Sequence, residues 1–331
     1  MKKKTFYFWA SDIRSNSGEG VLANEFLSDI KKYNKTYSFV NINKNRNNYH
    51  TFSHKYFLNF FGALKLWKYY YRGYQTIYIN YLPIWNFIVF LILPPKTILG
   101  PITGSFIYNK QSLLDSIRRG FLLNIFKNIS LFIIFIRQKK ILFSTELLKS
   151  SIKKNKIKRC YFNYALKIFS GFSKVKNKKI IDFLIYNREH RNKINPFVEY
   201  FIKNTLDKKY KIVVVGDPIN LQNVKNVGYI SRERIKSLLA NTKCTFGSSE
   251  NLYTLFILDA ISLNVLVFYE KKLKIFNTEI KYNKMLPVDF INNFNSLKYV
   301  ISKVDRFNKF SNKNYLKKKN YDEFFKKFFT N

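Results

Sequence analysis

The sequence predicts an α/β protein of two tandem domains, each a doubly wound parallel sheet, and three observations carry that reading. Apolar runs of strand length alternate with amphipathic segments of helix length, and the pattern pauses once at a polar, Lys-rich connector before starting again. The strands of the second half, such as KIVVVG and VLVFY, are continuously apolar, as a sheet covered on both faces requires. At 331 residues the chain exceeds one ordinary core and suits two domains of roughly 150 residues, with a cleft expected between them.

In order, KTFYFWA reads as a strand, GEGVLANEFLSDIKKY as a helix with Leu22, Phe26, Ile30 and Tyr33 on one face, and TYSFVNI as a second strand. A basic, Asn-rich stretch and an amphipathic segment from Phe57 to Tyr71 follow. Then come strand TIYIN, helix IWNFIVFLI, strand KTILG, a long helical region from Ser112 to Arg137 and strand KILFS. After the connector SGFSKVKNKK the order is strand IIDFLIY, helix PFVEYFIKNTL, strand KIVVVG, short strand NVGYI, helix RERIKSLLA, strand CTFGS, helix LYTLFILDAIS and strand VLVFY. The last stretch, from Asn312, reads as a helix that packs back across the cleft. The expected division is residues 1–170, 171–311 and this C-terminal helix over 312–331, the first two being Rossmann-like.

With 47% hydrophobic and 18% aromatic residues the chain is neither disordered nor fibrous. Its net charge is +39, which predicts an anionic neighbour: nucleic acid, an anionic membrane surface or a phosphorylated substrate. Cys160 and Cys244 are far apart, fit neither a disulfide framework nor a zinc site of usual spacing, and suit a reducing cytoplasm. The basic N-terminus runs into a short apolar stretch cut by Ser11 and Asp12, which reads as a first strand and not as a signal peptide. IWNFIVFLILPP is stopped by Pro94 and Pro95, and FLLNIFKNISLFIIFI is broken by Asn124, Lys127 and Asn128, so no spanning helix is expected.

In open parallel sheets ligands bind beyond the carboxyl ends of the strands. IYNREHRNK ends a strand there and packs Arg188, His190, Arg191 and Lys193 into six residues. A guanidinium fork and an ammonium group are a natural pair for a diphosphate; a solvated basic turn is the alternative.

The stretch from Gly228 to Phe268, with its Gly-Tyr-x-Ser-x-Glu turn, Ser-rich turn and helix carrying an acidic residue followed by Ala, resembles the carboxyl half of retaining GT-B glycosyltransferases of the large family-4-like group (glycosyl transferases group 1). In that group an Arg and a Lys separated by four residues hold the donor diphosphate, and Arg188 and Lys193 have that spacing. The group's two acidic residues are separated by seven others, one holding the ribose and the other facing the sugar. Asp259 and Ala260 match the ribose half; across the seven residues that precede Asp259 stands Asn251, with Glu250 one place before it. This departure leaves the donor sugar open. Ser248, Ser249 and Asn251 offer hydroxyls and backbone N–H groups for phosphate at a helix start, the alternative being an ordinary cap.

In the first domain, SNSGEGVLANEF places Gly18 and Gly20 between strand and helix, where the resemblance implies a loop bordering the reacting centre. Glu19 is the candidate for acceptor contact, or else a helix-dipole partner. LGPITGS resembles a Gly-Pro-x-x-Gly loop of the group, so Gly100, Thr103 and Gly104 are placed on the acceptor side, against a tight turn around Pro101. His50, His54 and His190 have no partner at metal-ligand spacing, and the resemblance implies neither a metal nor another cofactor. The Phe57–Tyr71 segment has the aromatic and basic make-up of a membrane-interface helix, with packing on its own sheet as the alternative. Scattered charge without a recognised motif argues against nucleic acid, and Asn251 keeps a noncatalytic scaffold of the same fold in view. The sequence therefore predicts a cytoplasmic, membrane-peripheral glycosyltransferase using a nucleotide sugar and a glycan or lipid-linked acceptor of cell-surface polysaccharide or lipopolysaccharide.

Overall fold

The computed structural model describes residues 5–14, 17–33, 38–43, 52–80, 82–104, 121–169, 179–188, 195–248, 252–271, 273, 280–307, 314–316 and 321–326. They fall into two compact units, the described parts of Met1–Phe106, Lys110–Lys167 and Lys319–Asn331 forming one and those of Ile168–Lys318 the other.

In the first unit β1 (Thr5–Ala10), β2 (Ser38–Asn41), β3 (Gln75–Ile79) and β4 (Ile98–Leu99) form a parallel sheet in the order β2-β1-β3-β4. Alternation along β1 sends Phe6, Phe8 and Ala10 to one face, where they meet Phe26 and Ile30 of α1 (Gly18–Tyr33). Tyr7 and Trp9 face the other way, onto Ala63 and Leu66 of α2 (Phe52–Tyr71), Val89 and Phe90 of α3 (Phe87–Ile92), and Leu131 and Ile134 of α4 (Leu123–Arg137). Gly62 lets α2 lie this close, because a Cβ there would fall 2.3 Å from the Trp9 ring. Past β4 the chain continues extended, Ile102 bridging Phe143, and β5 (Ile141–Leu142) pairs with β6 (Cys160–Tyr161).

The second unit is a six-stranded sheet in which every pairing is parallel. Its strands are β7 (Ile181–Asn187), β8 (Ile212–Gly216), β9 (Val224–Gly228), β10 (Thr242–Phe246), β11 (Leu266–Glu270) and, beyond a short β12 (Ile280–Tyr282), β13 (Met285–Val288). They are ordered β13-β11-β10-β7-β8-β9. One face packs on α5 (Pro196–Lys203) and α8 (Phe294–Asp305) through Phe183, Phe246, Phe197, Phe201 and Val300. α6 (Arg232–Ala240) and α7 (Leu255–Ser262) complete the helices, and both alternating sets of strand side chains, such as Val213 and Val214, are buried. Asn195 caps α5 and Pro196 opens it, where a missing N–H costs nothing.

The C-terminal expectation needs correction. Residues from Asn312 do not form one helix: β14 (Asn314–Leu316) pairs antiparallel with β12, and among the described residues of this stretch only α9 (Asp322–Lys326) is helical. That helix belongs to the first unit, where Phe324 and Phe325 are buried against Phe26 and Tyr164, and the Tyr33 hydroxyl donates to Asp322. Of the predicted Ser112–Arg137 helix, residues 121–137 are described: α4 follows a π-helical start at Phe121 and Leu122.

Candidate functional site

In the second unit β8 and β9 extend the sheet to one side of β7, and β10 and β11 to the other. The crossovers therefore diverge between the carboxyl ends of β7 and β10, the position where open parallel sheets take ligands. Arg188 stands exposed immediately past β7, and Ser248 lies two residues past β10. Lys193, Ser249, Glu250 and Asn251 lie outside the described residues.

This edge is held by a polar clamp. Asp217 N–H donates to the Asn187 carbonyl at 3.1 Å, and the Asn187 amide donates back to the Asp217 carbonyl at 3.1 Å. Between them Gly216 has φ +98°, and a Cβ there would fall 2.2 Å from the Asn187 oxygen, so only glycine fits. The Tyr229 hydroxyl donates to the Asp217 carboxylate at 2.6 Å. That bond lifts the Tyr229 hydroxyl above its ordinary pKa, burial adds to the rise, and the nearby positive charge of Arg188 opposes it. Tyr186, at the end of β7, stacks on Phe256 of α7 with ring centroids 5.4 Å apart. Tyr229 and Asp217 were not among the sequence candidates, although Tyr229 lies inside the Gly-Tyr-x-Ser-x-Glu stretch that carries the resemblance.

The helix start is displaced from its expected position. α7 begins at Leu255, capped by the Thr254 hydroxyl, which accepts from Ile257 N–H at 3.3 Å. Buried Leu252 and Tyr253 intervene before it, so Ser248 is not part of the cap. Asp259 is the fifth residue of α7 and is 3% exposed. Its two oxygens accept from Arg232 Nε and Nη2 at 2.8 Å each, with Lys236 at 3.6 Å. This fork ties α6 to α7. Ser231 caps α6, as its place in the motif implies.

In the first unit the same divergence lies between β1 and β3, and polar side chains close it. The Asn80 amide donates to the carbonyls of Asp12 at 2.5 Å and Glu19 at 3.1 Å. Burial alone would raise the Asp12 carboxyl, but its bonds from Arg14 and Ser17 outweigh it and hold Asp12 below its ordinary value. Ser17 caps α1 by accepting from Gly20 N–H at 2.9 Å. Gly20 is buried, and a Cβ on it would meet the Arg14 carbonyl at 2.1 Å; Gly18 and Glu19 are exposed. LGPITGS is no tight turn. Gly100 N–H donates to the Tyr78 carbonyl at 2.8 Å, and Thr103 exchanges backbone bonds with Leu82 and Ile84, extending the sheet. Gly104 packs against Leu148, Gly100 is buried, and Thr103 and Gly104 are half-buried.

Among solved structures, S. aureus MnaA bound to UDP is similar to this chain, with a TM-score of 0.50 at 11% identity, over 93% of this chain and 90% of that one. The chain has the GT-B fold. The UDP-GlcNAc 2-epimerase of Methanocaldococcus jannaschii in complex with UDP-GlcNAc and UDP gives 0.47 at 11% identity over 91% and 92% of the two chains. An α-glucosyltransferase in complex with UDP-glucose and DNA containing an abasic site gives 0.47 at 11% over 92% and 90%. No family model and no curated protein matches the sequence. Among the described residues no helix is long and apolar enough to cross a membrane.

Proposed function

We propose that this GT-B chain is a glycosyltransferase that moves a sugar from a nucleotide-sugar donor to a glycan or lipid-linked acceptor in the synthesis of cell-surface polysaccharide or lipopolysaccharide. The observation that carries the reading is the placement of Arg188, exposed at the carboxyl end of the central strand β7, where the crossovers of the second sheet diverge. Negative charge grows on the leaving diphosphate as the glycosidic bond breaks. A guanidinium there binds two of its oxygens at once. Lys193 joins it through its spacing, so that side chains and not a metal carry the charge. Ser248 and Ser249 donate to phosphate, Glu250 or Asn251 faces the sugar, and Glu19 contacts the acceptor. Asp259 takes the ribose through the lone-pair sites that Arg232 and Lys236 leave. The resemblance supports a retaining outcome.

Attachment to the cytoplasmic face of a membrane is part of the proposal. α2 buries Ala63 and Leu66 but exposes Phe57, Phe61, Leu64 and Tyr71. α4 and α3 likewise turn Phe132, Ile136 and Leu91 outward. The sequence holds no Asp or Glu between Asp29 and Asp115, so the wide apolar surface is accompanied by cations alone, the composition that favours an anionic bilayer surface.

A thermal-shift screen of nucleotide sugars, followed by transfer of labelled sugar to membrane lipid extracts, tests the function. One nucleotide class should raise the melting temperature and its sugar should appear in the extract. Conversion of the donor to an epimer without transfer would contradict the reading.

A further inference from the structure

A cavity of about 460 Å³ opens in the first unit between the residues that follow β2 and α2, beside Trp9 near the carboxyl end of β1. Trp9, Ile42, Asn43, Leu58, Lys65, Lys68 and Tyr69 line it. Three properties of that lining point the same way. Its two charged groups are both ammonium groups, one turn apart on α2, and no carboxylate lines it among the described residues. Its wall is apolar and aromatic, with Tyr69 fixed by stacking on Tyr7 at 4.0 Å. The Trp9 indole, 1% exposed, has an N–H that finds no acceptor among the described residues, a costly state for a buried donor until one arrives. The Lys65 ammonium lies over that ring, 5.6 Å from its centroid.

We propose that this pocket binds the phosphate of a sugar-phosphate acceptor, the ammonium pair taking the phosphoryl oxygens and the Tyr69 side of the pocket taking the sugar ring. The volume suits one sugar and its phosphate, since small-ligand sites run from about 300 to 1,000 Å³. The proposal rests on the glycosyltransferase reading and names the chemistry of its acceptor. The same chemistry arrives either as a free sugar phosphate or as a lipid-linked one, and the exposed Phe61 and Leu64 on the same helix favour the second.

The test is binding to the full chain of glucose 6-phosphate in solution and of prenyl-phosphoglucose in detergent micelles, each against glucose. Because a +39 chain attracts any anion, the Lys65→Gln/Lys68→Gln variant is compared with Lys153→Gln/Lys154→Gln, which removes two exposed charges of the same unit elsewhere. The pocket variant should weaken the phosphorylated ligands about tenfold or more, the scale of losing charge-assisted bonds, and leave nucleoside diphosphate affinity unchanged. Trp9→Phe, which keeps a ring and loses the N–H, should weaken them about threefold. The tighter of the two phosphorylated ligands identifies the form of the acceptor. Absence of binding to the wild type, equal binding by wild type and pocket variant, or an equal loss in the control variant overturns the proposal. Sugar-phosphate binding without nucleotide binding would overturn the donor reading alone.

Discussion

Replacing Asp259 with Asn should destabilise the second unit by about 3 kcal/mol. The carboxylate is 3% exposed and takes both arms of the Arg232 fork at 2.8 Å, while the Arg232 side chain is itself only 15% exposed. Breaking a buried pair from one side costs about 3 to 5 kcal/mol, because the partner charge stays buried without compensation. The residual exposure of Arg232 places this case at the lower end. Lys236, at 3.6 Å and 36% exposed, contributes under about 1 kcal/mol. Urea unfolding of the full chain, followed through the transition assigned to the second unit, gives the number. Asp259→Leu/Arg232→Leu should recover more than half of the loss, since the two removals are coupled. Nucleoside diphosphate affinity measured on the same proteins separates the two roles of Asp259: a ribose contact is lost in Asp259→Asn but kept in Arg232→Met. A change in stability within about 0.5 kcal/mol for Asp259→Asn would refute the reasoning, since that is the range of ordinary surface substitutions.

Gly216→Ala should cost at least about 2 kcal/mol, because φ +98° and a 2.2 Å approach to the Asn187 carbonyl leave no room for a Cβ; thermal unfolding checks it. Lys179 donates to the Leu239 and Leu263 carbonyls, and burial, with the nearby Lys284 charge adding, holds its pKa to about 8. Its folded value lies below the ordinary 10.5, so between pH 8 and 10.5 the unfolded chain carries more of this proton and the group's contribution to stability rises with pH. The stability advantage of Lys179→Met over wild type should therefore shrink across that window, and a constant difference in melting temperature would exclude it. Phe61→Asp/Leu64→Asp, on the exposed face of α2, should reduce flotation with anionic vesicles by about tenfold or more at low salt, each apolar side chain being worth about 1.5 to 3 kcal/mol when buried. Failure of the wild type to float would end the membrane proposal and leave the donor site untouched.

The fold was legible where the backbone pattern was regular. The buried strands IIDFLIY and KIVVVG and the helix GEGVLANEFLSDIKKY stand where periodicity placed them; Gly18 and Gly20 lie in the first turn of that helix, not in a loop before it. β13 escaped because MLPV contains Pro287; it is an edge strand, where a missing N–H is tolerated, and proline ordinarily argues against a strand. α8 escaped because its polar residues mask the buried Leu297, Val300 and Val304. Charge at Arg188 was visible from its place at a strand end. The Tyr229–Asp217 clamp was not, because its members are 12 residues apart and meet only through the β8–β9 crossover. The engagement of Asp259 by Arg232 was hidden for the same reason: the two helices are paired by the sheet order, not by sequence spacing.

The central claim is that a nucleoside diphosphate binds beyond β7. Calorimetric titration of the wild type and of Arg188→Ala with the nucleoside diphosphate chosen by the thermal-shift screen measures it directly. The guanidinium is exposed and outside the core, so the variant should fold as the wild type does and bind about ten- to a hundredfold more weakly, corresponding to about 1.5 to 3 kcal/mol for a charge-assisted contact. Equal affinity in the two proteins would contradict the account.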